Sequence, residues 1–412
     1  MDSNATHERD SPLTPTHGSL DDFEGFIDAT ITIEACDVVN LMSLVAATAG
    51  ARSASLYVAD YGLTWLQRVG VDGPDGNALP LASTPAGRAF IDQRPVIDPD
   101  HPGTVWMPLA DGSDRTGVLE FVADATTGAE FRRLERVTRV VGLVLTSQRR
   151  FSDLIERCRR ARPLSRTAEM QWGLLPPLSC ETSHISISGI LEPAYEAGGD
   201  SFDYALNHHT VHIAVIDAVG HGMAAMLMST SAINSLRNAR RQGHSLETAY
   251  LHTGTVIASQ FGNSNFVTGQ VASIDVTTGT MYWINAGHPL PIRIRDGVAS
   301  ELACRASMPM GLGGAIAEVA VDQLEPDDRI LFHTDGVIES RPVGGVQFGS
   351  DSLLARLITA TANEMSAAET VRQLANDVLT HVNGPLADDA SLLLIDYKGS
   401  PQPKQSGHPE TA

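Results

Sequence analysis

From Arg166 to Lys398 the chain repeats short apolar and β-branched runs that end in turns such as TTG and RDG, a pattern that fits little besides antiparallel sheet. The runs are HISISGILEP, FDYALN, TVHIAVIDA, NFVTGQVASIDV, TMYWINA, PIRIRDG, EVAVDQLE, RILFHTD and SLLLIDY. Helical spacing of apolar residues is confined to MAAMLMSTSAINSLRNARRQ, SLETAYLHTGTVIASQF, DSLLARLITA and SAAETVRQLANDVLTHV. Two long helices therefore sit together between hairpin groups, instead of one helix between each pair of strands. That order predicts α+β architecture, antiparallel sheets with helices packed on them, and not an alternating parallel βαβ array.

A smaller block precedes it, over residues 21–130. VVNLMSLVAATAG reads as a helix stopped by Gly50, SASLYVAD and TWLQRVG as strands, TPAGRAFIDQ as a short helix, and TVWMPLAD and TGVLEFVAD as two further strands. With LYVAD, the TPAGRAF turn and VWMPLAD followed by DRTGVLEFVAD, this block resembles a GAF domain, a small sensory α/β fold. The resemblance implies a possible small-molecule ligand, though no residue set here names one; a purely structural role is the alternative.

Residues 131–165 read as a helical connector. Leu134, Val137, Val141, Val144, Gln148, Phe151, Ile155 and Cys158 are spaced by threes and fours, the seam of a coiled coil, until Pro163 stops the helix. This predicts a homodimer through the connector; the alternative is that VVGLVL packs as the last helix of the block before it, and both are expected to hold. Residues 1–20 and 399–412 are polar and Pro-rich and are expected to be disordered.

Composition narrows the partners. The 412 residues carry a formal net charge of −20, which repels phosphate backbones and anionic lipid, so neither nucleic acid nor a membrane surface is an expected partner. Eleven arginines between Arg132 and Arg166, against Glu135, Asp153 and Glu156, make the connector locally basic, as a solvated helix face is. Four scattered cysteines, an N-terminus unlike a secretory signal and the lack of a long apolar run point to the cytoplasm.

The residues that promise chemistry are aspartates where strands meet turns. Asp200 follows two glycines in EAGGDSFD, Asp217 ends VHIAVIDAVGHG, Asp335 ends RILFHTDG and Asp388 opens ADDASLLLID. Each alone reads as a turn former or helix cap. Together they form a set of hard oxygen donors suited to Mg2+ or Mn2+, held at the ends of rigid strands, and their mutual repulsion calls for a cation.

At these residues the block from Arg166 to Lys398 resembles the PPM family of metal-dependent protein serine/threonine phosphatases. The similar branch is the bacterial one typified by sporulation stage II protein E and by regulators of sigma-factor stress responses. The matching stretches are LEPAYEAGGDSFD, VIDAVGHGMAA, NFVTGQVASID, INAGHPLPIRI, MPMGLGG, ILFHTDGVIESR and DDASLLLID, with QWGLLPP at Gln171–Pro177 just upstream. The resemblance implies a β-sandwich flanked by helices over residues 166–398. It also implies two Mn2+ or Mg2+ ions, with Asp217 bridging both, Asp200 and the backbone carbonyl of Ala218 on one, and Asp335 and Asp388 on the other. Asp388 is preferred to Asp389 because the family places its ligand first in the pair. The sequence departs mildly, with Ser201 and Phe202 where aromatic residues are commoner and Ala218 where Val or Gly is.

A water between two such ions ionises near neutral pH and attacks phosphorus in line, so the four aspartates would be catalytic through metal-activated water. None of the four cysteines has Arg six positions on, which leaves no cysteine-phosphatase loop. His221 is a candidate general acid, but a turn histidine that fixes the GHG loop is the better expectation. His288, His333 and Asn285 read as hydrogen-bonded scaffold, and Thr268 with Gly269 as packing between sheet and central helices. GGDSF lacks the second acid of a diguanylate cyclase signature, and GLGG lacks the Lys of a phosphate loop.

The expectation is a phosphoserine/phosphothreonine protein phosphatase regulated by its first domain. By resemblance, its substrate is a phosphorylated anti-sigma-factor antagonist of the STAS type. A non-catalytic docking module for the same partner and a phosphatase for small esters are the alternatives.

Overall fold

The computed structural model of the chain describes residues 20–123, 127–196, 198–313 and 316–399. The disorder expected at the chain ends concerns residues outside these, except that Leu20 opens the first helix and Gly399 closes the described chain. Two compact units result, one of residues up to Asp60 with Thr64–Arg159, the other of Tyr61–Leu63 with Arg160 onward. No helix among the described residues is long and apolar enough to cross a membrane.

The first unit opens with helices α1 (Leu20–Thr32) and α2 (Val38–Ala49). Asp37 accepts a bond from the Asn40 amide at the start of α2, and Gly50, at φ 72°, ends it in the left-handed conformation that a glycine adopts without strain. Strands β1 (Ser53–Ala59), β2 (Trp65–Val69) and β3 (Pro74–Pro80) follow, then α3 (Pro85–Asp92), β4 (Val96–Ile97), β5 (Thr104–Asp111) and β6 (Asp114–Val122). The six strands form one antiparallel sheet in the order β3-β2-β1-β6-β5-β4. Helix α1 and strands β3 and β4 are additions to the elements legible in the sequence.

The connector departs from expectation. Helix α4 (Gly128–Gln148) starts at a capping box between Thr127 and Glu130 and stops at Gln148; a second short helix, α5 (Leu154–Cys158), resumes after a break. Leu134, Val137, Val141, Ile155 and Cys158 are buried in the unit's own core with Phe26, Leu41, Leu56, Met107 and Phe121. Gln148 donates to the Ile33 carbonyl, and Phe151, in the break, is 79% exposed. The heptad-like spacing is thus explained by helices packing on their own sheet, which buries the same a/d positions a dimer seam would use. No continuous helix spans 131–165, and the first unit extends to Arg159 instead of ending near residue 130.

The second unit begins with α6 (Arg166–Leu174), β7 (Ser179–Glu181), β8 (Ile185–Glu192), β9 (Asp200–Asn207) and β10 (Thr210–Ala218). The paired helices are α7 (Gly222–Arg241) and α8 (Leu246–Phe261). Strands β11 (Val267–Asp275), β12 (Thr280–Ala286), β13 (Ile292–Arg295), β14 (Val298–Glu301), β15 (Ala320–Gln323) and β16 (Arg329–His333) come next. Helices α9 (Asp335–Glu339), α10 (Gly349–Ala362) and α11 (Ala367–Val382) precede the last strand, β17 (Ala390–Tyr397). Two antiparallel sheets result, in the orders β15-β12-β11-β10-β9 and β14-β13-β16-β17-β8-β7.

Strand parity builds the layers. Val211, Ile213 and Val215 of β10 point between the sheets and share a core with Phe202, Trp283, Phe332 and Leu393. The alternate residues Ala214, Ile216 and Ala218 join α7 and α8 through Met226, Ile233 and Ile257. On the other sheet, Leu331, Leu392 and Leu394 meet α10 and α11 through Leu353, Leu357, Val371 and Leu374. The result is the expected sandwich flanked by helices, in four layers.

Candidate active site

The same parity that fills the sandwich also arms one end of it. Continuing the inward series one step past the apolar residues gives Asp217 after Val215 on β10, Asp200 before Phe202 on β9, and Thr268 and Gln270 before Ala272 on β11. On the other sheet it gives Thr334 after Phe332 and Asp389 before Leu393 by two steps. Where the inter-sheet core runs out of hydrocarbon, polar side chains close it.

Asp200 and Asp217 are directly opposed in the β9–β10 ladder. Burial, then the charges of Asp217 and Asp389, drive the Asp200 carboxyl well above the ordinary range. Asp217 is pushed up to about 7 by burial and by Asp335, Asp388 and Asp389. Asp335 is the first residue of α9 and half-buried, while Asp388 stands exposed just before β17. Burial raises Asp388 as well; the Asp389 amide and His221 pull it down and Asp335 pushes it up. Asp217 thus feels the charges of Asp335 and Asp388, and Asp200 feels that of Asp217.

Asp389 has a different environment. It is buried and accepts the amides of Gly198 at 2.7 Å and Asp200 at 3.3 Å, with its carboxyl raised to about 6 by burial. Its Oδ2 thus fastens the β9 entrance, whereas Asp388 Oδ1 accepts its neighbour's amide, at 2.9 Å. Thr334 donates to Asp200 Oδ2 at 2.6 Å and accepts the Ser391 amide at 2.9 Å. Gln171 of α6 donates to the Asp200 carbonyl at 2.7 Å. Sequence reading missed the contributions of Thr334, Gln171 and Asp389; adjacency to Asp335 and Asp388 was the only signal for two of them.

Ala218 ends β10, buried, beside Gly199, where a side-chain carbon would come within 2.2 Å of the Ala218 carbonyl oxygen. Glycine there leaves that oxygen uncovered. His221 occupies the capping position of α7, exposed, with no side-chain capping bond. His288 is buried, exchanges backbone bonds with the Asn285 amide at 2.7 and 2.8 Å, and meets Thr268 Oγ1 at 3.1 Å. Its ring is pushed down to about 3 by burial and His333, and His333 is likewise lowered by burial. Asn285, His288 and His333 are the scaffold expected of them. Thr268 is not packing for the helices: it faces the sandwich end and donates to the Asp217 carbonyl, at 3.4 Å, while Gly269 admits the β10 backbone.

The donor chemistry suits hard divalent cations: carboxylates and a main-chain carbonyl, on two rigid sheets, with repulsion that a cation offsets. Among the described residues, no group of three or more His, Cys, Asp and Glu side chains converges into a ready-made metal cage. Part of the reason is visible, since Asp200 and Asp389 direct oxygens to protein donors.

The family profile for Stage II sporulation protein E (SpoIIE) matches residues 207–398. The chain is 24% identical over 234 residues to phosphoserine phosphatase RsbU of Bacillus subtilis, covering 56% of this chain and 69% of that one. It is 22% identical over 264 residues to protein IcfG of Synechocystis, covering 57% of this chain but 41% of IcfG, so it spans well under half of that relative. The solved SiaA-PP2C domain of Pseudomonas aeruginosa superposes with a TM-score of 0.48 at 20% identity, over 56% of this chain and 94% of that one. Residues 207–398, a little under half of the chain, thus form a domain that matches the Stage II sporulation protein E (SpoIIE) family and is similar to phosphoserine phosphatase RsbU.

Proposed function

We propose that the second unit is a metal-dependent protein phosphatase acting on phosphoserine or phosphothreonine, and that its substrate is a phosphorylated STAS-type antagonist of an anti-sigma factor. The observation that carries the reading is the gathering of aspartates at one end of the sandwich: Asp217 opposes Asp200 in the ladder, Thr334 beside Asp335 donates to the Asp200 carboxylate, and Asp389 beside Asp388 accepts the Asp200 amide. Asp217, Asp200 and the Ala218 carbonyl would hold one Mn2+ or Mg2+ and Asp335 and Asp388 a second, with Asp217 shared. Two such ions supply an ionised water for in-line attack and neutralise phosphoryl charge. The chain's own part is to hold these oxygens at fixed spacing. Thr334 keeps one Asp200 oxygen oriented, and Asp389 ties down the Gly198–Asp200 segment. The first unit, one antiparallel sheet backed by helices, is read as a GAF-like sensor that regulates this reaction, with a small molecule as its ligand.

The deciding experiment is Mn2+-dependent phosphate release from phosphorylated STAS proteins. Wild-type protein should release phosphate and Asp217→Asn should not, while both bind the substrate. Unchanged output in cells carrying Asp217→Asn would mean docking without catalysis, and equal efficiency on an aryl phosphate would mean a small-ester phosphatase.

A further inference from the structure

We infer that Gln171 is a positioning residue for the metal ligand Asp200, which makes helix α6 part of the active centre; the inference rests on the phosphatase reading above. Strand β9 lies at the edge of its sheet, so backbone groups on its outer side have no strand partner. Gln171 serves that need at Asp200 itself, with Nε2 2.7 Å from the Asp200 carbonyl oxygen. Its side chain is among the most buried polar groups of the unit, at 1% exposure, a location an amide tolerates only when its hydrogen bonds are met.

The Asp200 segment is gripped from several elements at once. Asp389 takes its amide, Thr334 its carboxylate, Gln171 its carbonyl, and Ser229 of α7 donates to the carbonyl of Gly199. Three of these grips come from the sandwich and α7. Gln171 alone comes from the segment upstream of the sheets. Helix α6 is itself anchored independently: Ser165 caps it through the Ala168 amide, Leu174 is buried among α7 and α8 residues, and Arg237 binds the Leu174 carbonyl. Removing the Gln171 amide therefore deletes one bond to Asp200 while leaving the helix docked. Groups that orient a metal ligand from behind control its affinity for the ion.

The test measures Mn2+ affinity by calorimetry on the full chain, alongside kcat and KM on a phosphorylated STAS protein. Gln171→Ala is expected to weaken Mn2+ binding by about tenfold and lower kcat with KM unchanged, excess Mn2+ restoring kcat. Gln171→Glu, of the same shape but without the N–H at pH 8, should behave like the alanine variant and serves if that one fails to fold. Leu174→Ala loosens the packing of α6 and should lower the melting temperature while Mn2+ affinity stays within about twofold of wild type. Wild-type affinity in both folded Gln171 variants overturns the inference, as does an equal loss in Leu174→Ala. Wild-type protein that binds Mn2+ but hydrolyses no phosphoprotein sinks the phosphatase reading, and the affinities of the variants still decide the role of Gln171.

Discussion

Asp217 on β10 faces Asp200 on β9 directly across the ladder, two carboxylates on the same side of one sheet. Cross-strand pairs of like charge destabilise a sheet, and burial sharpens the penalty. In metal-free protein, Asp217→Asn should therefore stabilise the second unit by on the order of 2 kcal/mol, read from urea denaturation in chelator at pH 8. The same variant should lose the rise in melting temperature that Mn2+ gives the wild type. A loss of stability in chelator would show that the pair does not repel as described.

Gly199 tests the approach of backbone to the site. A Cβ there meets the Ala218 carbonyl oxygen at 2.2 Å and its nitrogen at 3.0 Å, with only main chain to give way. Gly199→Ala should cost about 3 kcal/mol in denaturation and displace the Ala218 carbonyl, lowering Mn2+ affinity by calorimetry. Unchanged affinity in a folded variant would remove Ala218 from the ligand set.

Asp203 holds α7 against the sheet. Buried at 2% exposure, it accepts Arg237 at 2.7 and 3.0 Å and Arg240 at 2.9 Å. Asp203→Ala leaves two guanidinium groups without their carboxylate and should cost about 3–5 kcal/mol, measured by equilibrium denaturation. A cost below about 1 kcal/mol would mean that solvent reaches these arginines freely.

His288 predicts a pH dependence. Its folded-state value, about 3, lies below the ordinary 6.5, so below pH 6.5 the unfolded chain takes up a proton that the folded one refuses. Stability is therefore present above that range and is lost as pH falls toward 3, by about 2 kcal/mol between pH 7 and pH 5 from this residue. Urea denaturation at the two pH values should show a smaller drop for His288→Gln than for the wild type. Equal drops would remove His288 as the cause.

The local rules carried the reading of the second unit far. Its strand runs were legible, and in the fold Val211, Ile213 and Val215 face inward, with Asp217 on that face by continuation. The aspartates could be named from the turns beside them. The heptad spacing in residues 134–158 misled for an equally physical reason: a helix that buries one stripe against its own sheet and one that buries it against a second helix carry the same pattern. Leu134, Val137 and Val141 turn inward to Phe121 and Met107, and only the fold supplies that partner.

By itself the sequence pointed to the class of fold and to the aspartates at the strand ends, because both depend on spacing along the chain and on side-chain type. Tertiary structure alone decided which groups hold those oxygens in place. Asp389 reaches the Gly198 amide across 191 positions, Thr334 reaches Asp200 across 134 and Gln171 reaches it across 29. Hydrogen bonds of that kind leave no periodic trace in sequence, since they come into being only when separate strands end at the same edge of the sandwich.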